Sequence, residues 1–250
     1  MVNRDEGLGR VYEERAASMR ELVNRSFWMP EAGRYAYAID GRDRVLPTVV
    51  SNIGHLLWSR VAPQDRATAT ANTLLASSSF SGYGIRTLAS DQPVYNPLSY
   101  HNGTVWPHDN ALIVAGLASY GLHHEAMKAF DGLAAAMAYF RDRRLPELFC
   151  GIGKRGGAVV RYPVACSPQA WAAGALPYSL WQILGLRART LERKLIVARP
   201  RLPDPVQWLE IHGLTLGDAS VDLRFERGAD GTVDVRTIGG DREVTVERSA

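Results

Sequence analysis

The sequence predicts a mainly α protein in which antiparallel helix pairs form a helical toroid, followed by a small C-terminal antiparallel β segment. Three observations predict it. Apolar residues recur at helical spacing from Leu8 to Leu184. The connections alternate between short turns and long polar-aromatic loops, as in helix hairpins whose long loops gather at one end. Beyond about residue 195 the apolar period changes to two, in Trp208-Leu209-Glu210-Ile211, Val221 to Phe225, Val233-Asp234-Val235 and Val244-Thr245-Val246. The chain is therefore divided into residues 1–190, helical, and residues 191–250, β-rich.

The first helix runs from about Leu8 to Ser26, with Val11, Ala16, Met19, Leu22 and Val23 on one stripe. A turn around Gly33 and an alternation at Tyr35, Tyr37 and Ile39 lead to Asp40-Gly41, a hairpin-turn pair. Ser51-Asn52 is placed to cap a short helix through Ile53, His55, Leu57 and Trp58. Pro63 opens the next helix, through Ala67, Ala71 and Leu74. Helices are then expected from about His108 to Tyr120 and His124 to Arg141, with Gly121 as C-cap between them. Pro168 starts a last helix, through Trp171 and Leu180, that stops at Gly185. The strands of the tail are expected to break at Gly213, Gly217, Gly228 to Gly231 and Gly239-Gly240.

The chain, 250 residues with 46% hydrophobic and 22% charged, can bury a sizeable core. Its formal charge of +3 is spread along the chain without a basic, aromatic-interleaved run, which argues against nucleic acid as a partner. Neither a membrane span nor a signal peptide is expected, because the apolar runs are punctuated and the N-terminus is charged. Cys150 and Cys166 have no CxxC companion, so free thiols in a reducing, cytoplasmic compartment are the simpler expectation.

Chemistry-bearing residues concentrate between Tyr95 and Ala111. Tyr100, His101, Asn102, Trp106, His108, Asp109 and Asn110 crowd into a stretch whose backbone is fixed by Pro97, Gly103 and Pro107. Such a loop suits stacking against something flat and polar before it hands over to a helix that Pro107 can start at no cost in hydrogen bonds. Trp106 and Tyr100 are better placed as sugar platforms than as core, whereas Trp58 and Trp181 sit at helical spacing and are expected in the core. Asp109, just inside a helix start, is as well explained by capping as by function. Glu147 is a lone acid between Pro146 and apolar neighbours, surroundings that suit a carboxyl to proton transfer. Its alternative is an ordinary acid paired with Arg143 or Arg144. Cys166 is expected as a small buried hydrophobe. Gly151-Ile152-Gly153-Lys154-Arg155-Gly156 is similar to a phosphate loop but lacks the closing Gly-Lys-Ser/Thr and a preceding strand, so a flexible loop explains it. No metal-ligand spacing and no nucleophile elbow is present, and no metal or cofactor is expected.

Five segments resemble one family. They are Ser51-Asn52-Ile53-Gly54-His55-Leu56-Leu57-Trp58, Ser81 to Thr87, Tyr95 to Asn110, Leu145-Pro146-Glu147-Leu148-Phe149-Cys150-Gly151, and Tyr162 to Gly174. Their order and residues are similar to those of bacterial glycogen-debranching-type amylo-α-1,6-glucosidases, which belong with the six-hairpin (α/α)6-barrel glycosidases. The resemblance implies hydrolysis of α-glucosidic bonds of oligosaccharides or glucans with inversion, by a carboxyl acid and a carboxyl base. It implies Glu147 as general base, and Tyr100, His101, Trp106, His108, Asp109, Gln169 and Trp171 as sugar-pocket residues. The general acid of that family lies in a Trp-Lys-Asp-Ser type motif that this sequence does not contain. About half the helices of an (α/α)6 barrel are present, so an incomplete barrel is expected, corresponding to the C-terminal part of a longer enzyme. Its other half is then supplied by another chain, or the fragment is a non-catalytic carbohydrate-binding or structural remnant.

Overall fold

The computed structural model describes residues 6–249. Helix α1, Glu6–Ser26, buries none of its residues, and its stripe of Leu8, Val11, Tyr12, Met19 and Leu22 is exposed. Two short antiparallel hairpins follow. The first pairs β1, Trp28–Met29, with β2, Arg34–Tyr35; the second pairs β3, Ala38–Ile39, with β4, Val45–Leu46. Asp40 closes the second by accepting the N–H groups of Arg42 and Arg44, each at 2.9 Å.

A 3-10 turn, Ser51–Gly54, runs into α2, His55–Trp58. Ser51 and Asn52 lie inside that turn and cap nothing. Ser51 is buried and gives its backbone N–H to the Thr87 carbonyl at 3.2 Å, so a loop-to-loop bond replaces the expected cap. Helix α3, Gln64–Leu75, starts after Pro63. Helix α4, Pro107–Ser119, has Pro107 in its first turn, and α5, His123–Met137, follows a turn in which Gly121 takes a φ of +75°. The last expected helix is two: α6, Ala170–Ala173, and α7, Ala175–Ile183, meeting at Gly174.

Helix α4 packs against α2, α5 and α7. It is apolar on nearly every face, as a helix surrounded by others must be, and Ile113, Val114 and Leu117 are fully buried. Around them Leu57, Leu74, Ile85, Leu133 and Phe149 complete the larger core. Trp58, expected in that core, is 49% exposed, because its helix ends there and its Nε1–H reaches outward to the Tyr178 hydroxyl at 3.2 Å. Trp181 is half-buried and packs against a second core.

That second core belongs to the β-rich tail. Strands β5, Leu186–Arg189, and β6, Lys194–Ala198, form a hairpin. A meander of β7, Trp208–Leu216, β8, Ala219–Arg227, and β9, Val233–Gly240, forms another sheet, and β10, Thr245–Ser249, completes the first. The tail is thus two three-stranded sheets. It is not wholly antiparallel, since β10 lies parallel to β6. The intervening meander is the long crossover that parallel pairing requires. Gly213 does not break a strand: β7 runs through it with a register shift between Ile211 and Leu214, and its φ of +65° marks a bulge. Alternate residues of β8, Val221, Leu223 and Phe225, point into the core with Leu195 and Leu216. Leu180 of α7 packs against both cores.

Among the described residues no helix is long and apolar enough to cross a membrane. Both cysteines are free. Cys150 is buried, but Cys166 is exposed, because it sits on an open loop ahead of α6 rather than under it.

Candidate active site

The site is built where three loops cross. Gly151 of one approaches Gly103 of another so closely that a Cβ at position 151 would lie 1.6 Å from the Gly103 carbonyl oxygen. Only glycine permits that crossing. Val105 and Phe149 then exchange backbone hydrogen bonds at 2.9 and 3.0 Å, and Phe149 also bridges to Arg161. Glu147 gives its N–H to the Cys166 carbonyl at 2.9 Å, which ties the third loop on. Within the first loop, the Tyr100 carbonyl accepts from Thr104 Oγ1 at 2.7 Å and from Trp106 Nε1 at 3.1 Å. Asn110, fully buried on α4, holds the neighbouring segment: Oδ1 accepts the Ile85 N–H at 2.6 Å and Nδ2 donates to the Ile85 carbonyl at 3.0 Å.

These constraints set out a continuous group of rings. Tyr100 stands edge-on to His101, Trp106 and Tyr162, at centroid distances of 4.6, 4.9 and 5.8 Å. His101 is parallel to Trp106, and His108 stacks on Trp171 at 3.7 Å with planes 13° apart. Trp171 is 54% exposed, and Gln169 Oε1 accepts its Nε1–H. The Tyr100 hydroxyl donates to Glu147 Oε1 at 2.6 Å. That bond, then burial, pushes the phenol up to about 12, so it remains a donor at neutral pH. Among the described residues Glu147 forms no ion pair with Arg143 or Arg144, the alternative the sequence left open. Its second oxygen has no hydrogen bond among the described residues.

Trp106 and His108 also line a cleft of about 560 Å³, together with Asn52, His55, His101 and Asp109. Asp109 is 8% exposed and does not cap α4; its Oδ1 pairs with His55 Nε2 at 2.6 Å. The hydrogen bond to Asp109 raises the His55 pKa against the opposing effect of burial. Burial is the main cause that lowers His108, which keeps that ring neutral near pH 7. Asp109 Oδ2 and His108 Nδ1 are buried without a protein partner among the described residues. Orphaned polar atoms of this kind at a cleft are what water or a hydroxyl-rich ligand satisfies. No group of three or more His, Cys, Asp or Glu residues suited to a metal occurs among the described residues.

The eight residues singled out from the sequence thus divide between the cleft and the rings in contact with it. His101, Trp106, His108 and Asp109 line the cleft, while Tyr100, Glu147, Gln169 and Trp171 lie beside it, joined through the stacked and edge-on contacts. His55, Asn52 and Thr87 also line the cleft and were not singled out. Asn52 and His55 lie in a segment read as a capped helix. Their polarity beside apolar Ile53 and Leu57 was the available signal.

Residues 2–149 match the model of a family described as the mannosylglycerate hydrolase MGH1-like glycoside hydrolase domain. No curated protein matches the chain. Among solved structures, a sialidase is similar with a TM-score of 0.70 and 15% identity, over 93% of this chain and 23% of its own. The GH78 family rhamnosidase of Bacillus sp. GL1 gives 0.65 and 15%, over 96% of this chain and 23% of its own. A GH63 mannosylglycerate hydrolase from Thermus thermophilus gives 0.49 and 19%, over 63% of this chain and 36% of its own. The chain spans about a quarter of the length of the sialidase and the rhamnosidase, and at such identities the likeness shows the fold alone. The family match is of a different kind, because it covers more than half of the chain and includes His55, the ring-bearing loop and Glu147. By that match the chain belongs to the MGH1-like glycoside hydrolase domain family, whose members' substrates are carbohydrates.

Proposed function

We propose that this chain forms the base-bearing side of an inverting glycoside hydrolase site for small α-glycosides, with Glu147 as the general base. One observation carries this reading. The Glu147 carboxylate has one oxygen held by the Tyr100 hydroxyl and the other free of protein hydrogen bonds among the described residues, beside a group of rings suited to a sugar face. In that role the free oxygen takes a proton from the water that attacks the anomeric carbon, while Tyr100 keeps the carboxylate oriented. The leaving group's acid then comes from outside these residues. His108, Asp109 and His55 bind hydroxyl groups through the polar edge of the cleft, and Trp106 and Trp171 supply apolar faces. We further propose that the helical part, placed at residues 1–190 from the sequence, is a segment of an (α/α)6 barrel. Its β-rich appendage, placed at residues 191–250, begins a few residues earlier, with β5 at Leu186.

For the substrate, the motif resemblance favours α-1,6-linked glucosides, whereas the family description favours mannosylglycerate. Both are small α-hexosides within this proposal. The test is sugar release from isomaltose, maltose and mannosylglycerate, followed by proton NMR, which also reads the anomer first formed. Release with inverted configuration is expected, falling by ~10²- to 10⁴-fold in Glu147→Gln. Equal release by both proteins would sink the role of Glu147. A second reading, sugar binding without turnover, is favoured by one fact: Glu147 is not among the residues lining the cleft. Saturable binding of glucose or maltose without release would establish it.

A further inference from the structure

The run Gly151 to Gly156 leaves the sugar-site loop and folds against the turn formed by Ser81 to Arg86. The Lys154 N–H donates to the Ser81 carbonyl at 2.8 Å, Arg86 Nε to the Gly151 carbonyl at 2.7 Å, and the Tyr83 hydroxyl to the Gly157 carbonyl at 2.9 Å. Gly82 has a φ of +91°, and a Cβ there would meet Lys154 Cβ at 2.8 Å, so Gly82 is what lets Lys154 cross the turn. The loop closes in a single 3-10 turn, Lys154–Gly156, with no helix directly after it. Any ligand is therefore held by side chains, not by the backbone cradle of a phosphate loop.

Between this loop, the Ser81 turn and α5 lies a second cleft, of about 580 Å³. Arg86, Lys128, Lys154 and Arg155 line it, and among the described residues no carboxylate does. None of the four forms an ion pair among the described residues. The ammonium groups of Lys128 and Lys154 lie 5.4 and 5.7 Å from the ring centroids of Phe80 and Tyr83, contacts that hold them at the cleft. Arg86 is only 7% exposed. Its Nε and Nη1 are spent on the carbonyls of Gly151, Ser77 and Ser78, and its Nη2 has no hydrogen-bond partner among the described residues. Neutral carbonyls orient a buried guanidinium but do not neutralise it.

A fixed guanidinium edge with three cations around it is suited to a dianion with several acceptor oxygens, which a phosphate group is and a single carboxylate is not. The carboxylates next to it, Asp131 and Asp204, line the adjoining cleft that shares Lys128 and Lys154, and form no ion pair with either lysine among the described residues. The cleft is much larger than a lone tetrahedral anion, and Ser77 and Phe80 offer a hydroxyl and an apolar face for an attached ring, whereas the Ser81 hydroxyl is spent on the Gly84 carbonyl. We propose that this second cleft is an oxyanion site for a phosphomonoester carried on a sugar-sized group, with free inorganic phosphate making the same contacts at the cationic end. It is separate from the Glu147 site and does not rest on the function proposed there.

The whole chain would be titrated calorimetrically with glucose 6-phosphate, inorganic phosphate and, as a control, glucose. Saturable binding of glucose 6-phosphate that inorganic phosphate displaces is expected, weakening as salt is added. Arg86 also ties three carbonyls, so its loss endangers the fold, and the exposed lysines carry the test. The double variant Lys128→Gln, Lys154→Gln should retain the wild-type melting temperature and bind glucose 6-phosphate at least ~10-fold more weakly, as expected for charge-assisted hydrogen bonds. Tighter binding of the ester than of free phosphate identifies a sugar phosphate as ligand, and equal binding identifies phosphate itself; both support an oxyanion site. Absence of saturable binding by either, or affinity unchanged in the double variant, overturns it. Sugar release by Glu147→Gln reports on the Glu147 site, so either proposal can fail alone.

Discussion

At the scale of single residues, a carboxylate can be kept oriented without being neutralised. Tyr100 does this for Glu147, donating one strong hydrogen bond while Arg143 and Arg144, among the described residues, form no ion pair with it. Asp109 is handled differently, since it is buried and only one of its two oxygens is bonded, to His55, among the described residues. That pair has a measurable consequence. The folded-state pKa of His55 is raised, so the stabilisation from its protonated form is fully present below the unfolded value of about 6.5 and is lost as pH rises through the raised value. Asp109→Asn should therefore cost more stability near pH 6 than near pH 9, by roughly 1 kcal/mol, at the low end for charged hydrogen bonds because the His55 side chain is 39% exposed. Thermal unfolding of both proteins across that range reads the difference. A gap that stays constant or widens toward alkaline pH would contradict the pairing. The His55 imidazole, followed by NMR, should also titrate lower in the variant.

At the scale of elements, the crossing of the Gly103 and Gly151 backbones fixes where Glu147 lies relative to Tyr100. Gly151→Ala would drive a methyl group into the Gly103 carbonyl, a clash between two backbones that no side-chain rotation relieves. The loss should exceed about 3 kcal/mol, beyond the usual range for single substitutions, and is read by chemical denaturation. A variant with wild-type stability would mean that the loops can separate without cost. Helix α4 answers to ordinary packing: Leu117, fully buried between α2, α5 and α7, should lose ~2–5 kcal/mol on Leu117→Ala.

At the scale of the whole molecule, two hydrophobic cores meet at α7, where Leu180 touches both. Phe225 is fully buried in the smaller one. Phe225→Ala should destabilise the chain by ~3–5 kcal/mol while leaving sugar binding at the Trp106 and His108 cleft unchanged below the new melting temperature. Parallel measurements of melting and of glucose or maltose affinity test this. A matching loss of sugar affinity in folded protein would mean that the β-rich tail shapes the cleft.

What was legible in the sequence follows its local physics. Pro107 and Gly121 delimit α4 because proline and glycine act on their own backbones, and the period-two pattern of Val221, Leu223 and Phe225 locates β8 because alternation is intrinsic to a strand. The same locality explains the misses. Trp58 has a core spacing but lies at the end of a four-residue helix, where half of it stays exposed and its Nε1–H reaches the Tyr178 hydroxyl. The parallel placement of β10 depends on which sheet edge is open after the meander, and no window of sequence contains that information.

The density of rings and polar groups between Tyr95 and Asn110, and the isolation of Glu147 among apolar residues, were decided by the sequence alone, since composition and proline placement already mark those loops. The joining of Tyr100 to Glu147 and of His55 to Asp109 was decided only by the tertiary structure. So was the gathering of Arg86, Lys128 and Lys154 around one cleft. Partners so far apart along the chain meet because packed helices and crossed glycines bring their loops together, and such distances are set by the whole fold rather than by any stretch of it.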